Sequence, residues 1–327
     1  MACSLTLSIT MKSRNLNSPM IKIGGGLLAG ILAPGMAFGC ACGCGIFEVG
    51  TSAMFPSGEG GTAFVNYAFQ NQNQNWSNSS KAPEANNPDK KIETDFITPG
   101  LQYMFNRSWG AQIELPFAYR SFKTTSNAPG SPNTTVNWGT LGDVRLNAIY
   151  TGFSEDLSSG INFGLKLPTG SYAHENAYGD VDRDSQIGTG STDILLGGFH
   201  RGNLSESWRL DWFSQAQLDL PTLTQGDYRP GFELDAAAGI NYRGWSWGRA
   251  RITPIAQALF SERTKDYGSA ANSPNSGYTR VLLSPGIEIH LHPLMIYADA
   301  EVPVFQNVNG NQLVAPVLFK AGVSYMF

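Results

Sequence analysis

The run Cys-Ala-Cys-Gly-Cys-Gly places Cys40, Cys42 and Cys44 at alternate positions. That spacing can gather thiolates around a soft ion such as Cu(I) or Zn(II). A closed zinc site needs four ligands, and no C-x-x-C pair or nearby His supplies the fourth. Three thiols cannot all pair with one another. At least one is left for a metal, a lipid on Cys40 or a bond to another molecule. Cys40, Cys42 and Cys44 are therefore the candidate metal ligands, with a flexible or disulfide-bonded leader as the bland alternative. His174, His200, His290 and His292 form no H-E-x-x-H, and there is no G-x-S-x-G elbow. Ser284 and His290 share a register, but six strand residues set them roughly 20 Å apart. Asp180-Val-Asp182-Arg-Asp184 opens like a Ca²⁺ loop. Ser185 stands where Gly is needed, and no Glu holds the twelfth position. An enzyme is not expected. A formal charge of −4 argues against a nucleic-acid partner.

The other charges recur every second residue within apolar sequence, so the elements that carry them come next. The first 39 residues hold Lys12, Arg14 and Lys22, no Asp or Glu, and an apolar stretch from Ile23 to Phe38. This reads as a cleaved signal peptide over residues 1–39. The stretch is too short and too Gly-rich for a spanning helix, and Pro34 breaks it. Residues 40–60 form a Cys-containing periplasmic leader or plug. From Gly61 on, apolar and polar residues alternate with period two, the signature of strands. Twelve such segments occur, at 61–71, 92–106, 109–123, 138–153, 158–168, 189–201, 207–220, 230–243, 248–260, 278–291, 294–305 and 313–327. Short turns alternate with long polar loops along them. Gln70–Ser80 falls in a loop and reads as mobile.

Only 15% of residues are charged, 11% are aromatic, and mean hydropathy is −0.17. Low charge with many aromatics and no long apolar run suits a barrel that crosses a bilayer with strands. Tyr103, Phe105, Trp109, Tyr150, Phe153, Trp208, Tyr242, Trp245, Trp247, Tyr325 and Phe327 cluster beside the short turns or the C-terminus, as an interfacial girdle would. A β-propeller needs four short strands per repeat, and here each repeat holds two long ones. A soluble β-sandwich has little reason to ring one rim with aromatics. The expected fold is all-β: a 12-stranded antiparallel up-and-down transmembrane β-barrel over residues 61–327. The expected location is the bacterial outer membrane.

In a bilayer the apolar face must meet lipid, because a charge at mid-depth costs about 2–4 kcal/mol. The charged face then lines the lumen. It carries Arg120, Arg145, Lys166, Arg209, Arg249, Arg251, Arg280 and Lys320 against Glu114, Asp143, Asp193, Asp211, Asp219, Glu233, Asp235, Glu288, Asp299 and Glu301. Most of these could simply pair and fill the interior, or they could form a narrow polar channel. Phe64, Phe96, Phe199, Phe213 and Tyr297 share the inner register and offer an apolar step for an aromatic or amphipathic solute.

Two segments carry a likeness to a known family: Gly164-Leu-Lys-Leu-Pro168-Thr169-Gly170 and Ile187-Gly188-Thr189-Gly190-Ser191-Thr192-Asp193. A strand ending in LPTG, a loop, then a GTGS strand start resembles the outer-membrane transporters named for the meta-pathway of phenol degradation. The resemblance implies a barrel that admits small, often aromatic, compounds. The Cys leader has no counterpart in that pattern. The terminal segment Val323-Ser-Tyr325-Met-Phe327 resembles the C-terminal signal read by the barrel-assembly machinery of bacterial outer membranes. The expected function is passive uptake of a small solute, with membrane lipids and the assembly machinery as partners and no cofactor beyond Cu or Zn at the leader. The alternative is a structural or electron-transfer accessory that uses the cysteines.

Overall fold

The computed structural model describes residues 40–41, 55–56, 60–125, 132–177 and 179–327. Twelve long strands follow one another: β1 (Gly60–Gln72), β2 (Asp89–Met104), β3 (Trp109–Glu114 and Phe117–Thr125), β4 (Asn133–Leu141 and Val144–Tyr150), β5 (Ser159–Leu167) and β6 (Ser191–Ser205), then β7 (Leu210–Thr224), β8 (Glu233–Tyr242), β9 (Ala250–Arg263), β10 (Tyr278–Leu291), β11 (Leu294–Val314) and β12 (Leu318–Met326). Each pairs antiparallel with the next. β12 also pairs with β1, with Thr62 opposite Met326 and Gln70 opposite Leu318, so the sheet closes on itself. The protein is a closed 12-stranded antiparallel barrel, and no α-helix occurs among the described residues.

The period-two pattern decides which face points where. Val65 is 48% exposed while its neighbour Phe64 is 4% exposed. Ile97, Leu146, Phe163, Leu196 and Ile287 are exposed likewise, while Thr98, Asn147, Lys166, Asp193 and Glu288 are buried. The apolar set therefore lines the outer wall, the only arrangement a bilayer tolerates for a closed sheet. The aromatics beside the short turns form linked pairs: Trp109 with Tyr150 at 4.8 Å between centroids, Tyr150 with Phe153 at 5.0 Å, and Tyr242 with Trp245 at 5.2 Å.

Two strands run less smoothly than their alternation suggests. β3 breaks at Leu115–Pro116 and β4 at Gly142–Asp143. Pro116 has no N–H for the ladder, and its carbonyl instead accepts from Gly142 N–H at 2.6 Å. The break turns Asp143 towards the loop after β5. At the same end, Gln70–Ser80 is not a free loop. β1 continues as Gln74–Asn78, which pairs with Val314–Val308 of β11 and turns back at Ser80–Lys81. Buried amides hold it: Gln72 Nε2 donates to Leu313 O at 3.2 Å and Asn75 Nδ2 to Pro83 O at 2.8 Å. β11 is correspondingly long. It rises along β10 to Val308 and returns from Asn309, so β12 starts at Leu318, later than the alternation suggests.

Candidate functional site: the barrel lumen

At the long-loop end two segments fold inward. The first is the β5–β6 loop, residues 168–190. Its two feet are the segments that carry the family likeness, and Asp143 clamps both. Asp143 Oδ1 accepts from Gly170 N–H at 3.0 Å. Oδ2 accepts from Thr189 N–H at 2.8 Å and Thr189 Oγ1 at 2.6 Å. Gly170 and Gly188 touch backbone to backbone; a Cβ on Gly188 would overlap the Gly170 carbonyl, so the crossing admits no side chain. The loop tip reaches β3, where the buried Arg120 donates through Nη1 to Ser185 O at 2.5 Å and Gln186 O at 3.2 Å. Arg183 lies over the rings of Tyr172 and Tyr228 at 4.2 and 4.8 Å. Burial of Asp182 pushes its carboxyl up to about 6. The second inward segment is the return of β11. Leu313 packs with Val181 of the loop and with Ile92 and Phe122 of the wall. The backbone of Cys40–Ala41 runs parallel to Gln312–Leu313.

The middle of the lumen is a buried ion network. Lys166 contacts Asp193 directly and Asp219 at 3.4 Å, and Arg145 stands 3.9 Å from Asp219. Beside it lies a cavity of about 90 Å³ whose walls include Phe96, Glu233 and Arg263. On the β10–β12 side Lys320 meets Glu301 at 2.7 Å, and Asp299 accepts from Ser284 at 2.6 Å and Tyr297 at 2.9 Å. Asp235 and Arg280 belong to the same buried charge group. Ser284 is thereby engaged with Asp299, and His290 with Glu288. They make no nucleophile–base pair.

Towards the short-turn end the lumen widens to a vestibule of about 620 Å³. Arg201, Asp211, Arg243, Arg251, Glu288 and His290 stand in its wall. Arg243 is held by Glu206 at 2.7 Å and Asp211 at 3.0 Å. Its roof is aromatic. Phe55 packs against Phe199 and Phe213 with Ile255 and Tyr297, and is itself buried.

Of the charges assigned to the lumen, Arg120, Arg145, Lys166, Asp193, Asp211, Glu233, Asp235, Arg251, Arg280, Glu288, Asp299, Glu301 and Lys320 face inward on consecutive strands. Arg209 and Arg249 do not. Both occupy short turns and are exposed. Arg209 takes φ +55°, and Arg249 follows Gly248 at φ +61°. The chain reverses there, so the alternation that assigned them inward has already ended. Arg201 and Arg243 were missed although period two could have found them: each closes an expected strand on its inner register, Arg201 two residues past Phe199 and Arg243 eight past Asp235. Cys42 and Cys44 lie outside the described residues, and Cys40 is described by its backbone alone. No group of three or more His, Cys, Asp or Glu suited to a metal occurs among the described residues.

No protein-family model matches the chain, and no curated relative does. Solved structures do. An outer-membrane channel from Pseudomonas putida F1 superposes with a TM-score of 0.62 at 12% identity, over 86% of this chain and 100% of that one. The β domain of the Bordetella autotransporter BrkA gives 0.49 at 16%, over 82% and 100%. The CymD monoaromatic hydrocarbon channel gives 0.43 at 9%, over 87% and 94%. At such identity a likeness speaks for architecture and not for activity. What this chain shares with the Pseudomonas channel is the outer-membrane β-barrel fold.

Proposed function

We propose that the protein is an outer-membrane channel for passive passage of a small solute, held narrow by segments folded into its own lumen. The observation that carries this reading is the lumen itself: a lipid-compatible outer wall encloses a charged interior that holds a 620 Å³ vestibule towards the short-turn end and a separate 90 Å³ cavity beside the ion network. A barrel that served only as an anchor has no need of such charged internal space. The segments Gly164–Gly170 and Ile187–Asp193, which resemble the phenol meta-pathway transporters, act here as the feet of the inward loop. The bilayer, the assembly machinery and a signal peptide over residues 1–39 complete the reading. The test is conductance. Purified, folded protein in a planar bilayer should pass salt in discrete small steps, and liposomes that contain it should admit small solutes while they exclude larger ones. Deleting Ala41–Ser57 should raise the step size while the barrel stays heat-stable on a gel. Folded protein that passes neither salt nor solute, with or without that deletion, overturns the reading.

A further inference from the structure

The vestibule already holds a ring. Phe55 inserts from the leader between Phe199, at 5.2 Å and 61°, and Phe213, at 6.0 Å and 63°. Both are edge-to-face contacts, the arrangement aromatic pairs favour. Ile255 and Tyr297 close the cage. Arg201 completes it in two ways. Its guanidinium carbon lies 5.6 Å from the Phe55 ring, and its Nη2 donates to Pro56 O at 3.1 Å. The cage therefore binds two chemical features at once: a phenyl ring and, one residue on, an acceptor oxygen on a cation. A backbone carbonyl is the weaker occupant of such a cation, because a carboxylate adds full charge to the same hydrogen bond. The vestibule beside it gives a solute room to arrive, and Arg251 stands in the same wall.

We propose that this cage is a binding site for a small aromatic carboxylate, and that Phe55–Pro56 is its resident occupant, which the solute displaces. The inference rests on the channel reading for its purpose but not for its test. Tethering raises the local concentration of Phe55, so the free acid binds weakly to the native protein and more tightly once the tethered ring is gone.

Calorimetric titration of the purified full-length barrel with benzoate measures this directly. Benzyl alcohol serves as the ring without the charge and acetate as the charge without the ring. Phe55→Ala should bind benzoate at least tenfold more tightly than the native protein. Adding Arg201→Gln to that variant should remove the preference for benzoate over benzyl alcohol. As a second readout, benzoate should drive the indole of the Phe55→Trp variant from the cage and red-shift its emission, a change the native protein does not show. The proposal fails if Phe55→Ala gains no affinity, if acetate binds as well as benzoate, or if Arg201→Gln leaves the preference intact. It also fails if the emission of the Phe55→Trp variant ignores benzoate. Benzoate binding in a barrel that passes no current would overturn the channel reading alone. Current without benzoate binding would overturn the cage alone.

Discussion

Reversing the charge of Arg145 and of Arg249 should have unequal effects. Arg145 stands 3.9 Å from Asp219 in the buried ion network of the lumen, whereas Arg249 is exposed in a turn. The potential of a narrow passage follows the charges that line it. Arg145→Glu should therefore shift the reversal potential towards cation selectivity, and Arg249→Glu should leave it unchanged. A shift of similar size in both would place Arg249 in the current path. Asp143 gives a second case. Its two oxygens accept three hydrogen bonds from the feet of the inward loop. Asp143→Asn replaces one oxygen with a donor that faces another donor. Each charge-assisted bond is worth about 1.5–3 kcal/mol, so the Gly170 and Thr189 amides should exchange hydrogen faster by about one to two orders of magnitude. The barrel amides should not change. Unchanged exchange at Gly170 and Thr189 would show that the crossing of the two glycines suffices alone.

The inward loop itself answers to pH. Burial raises Asp182 to about 6, so the folded-in loop prefers the protonated carboxyl. For a carboxyl raised on folding, the stabilising contribution is complete below its ordinary pKa near 3.8 and is lost as pH rises through about 6. Conductance should therefore increase between about pH 4 and pH 6 and level off above that, and Asp182→Asn should flatten the rise. A native profile that is flat, or that falls over this interval, would contradict the loop's role as the pH-sensitive part. Little of this was legible beforehand, for a physical reason. Period two reports which side of a strand meets lipid, and it fell in step with all twelve strands because one uniform solvent, the bilayer, acts on the whole outer wall. Segments inside the lumen meet a mixed surface. Val181 packs on Ile92 and Leu313, while Ser185 and Gln186 give carbonyls to Arg120. That demand leaves no period in the chain, so residues 168–190 read as an ordinary polar loop. The cage was half visible: Phe199, Phe213 and Tyr297 lay on the inner register. Its occupant Phe55 sits outside any strand, and only its place among the apolar residues of a leader able to enter the lumen as a plug pointed to it.

At the scale of the molecule, unequal connections orient the barrel. Asn86 and Ala270 lie exposed in long connections, and Ser154 lies in a short one. With short turns in the periplasm, an epitope inserted at Asn86 or Ala270 should be labelled on intact cells, and one at Ser154 only after the outer membrane is breached. The reverse pattern would invert the barrel. The closing contact between β12 and β1 has a consequence in time. Most strand pairings in the ring join neighbours in the chain, but Gly61 and Phe327 exchange hydrogen bonds of 2.8 and 2.9 Å between its first and last strands. Until Leu318–Phe327 has met β1, the sheet is an open ribbon with two raw borders, each a template for a stray strand. The hazard ends only when β12 meets β1, so any change that delays that one contact lengthens the time both borders stay open.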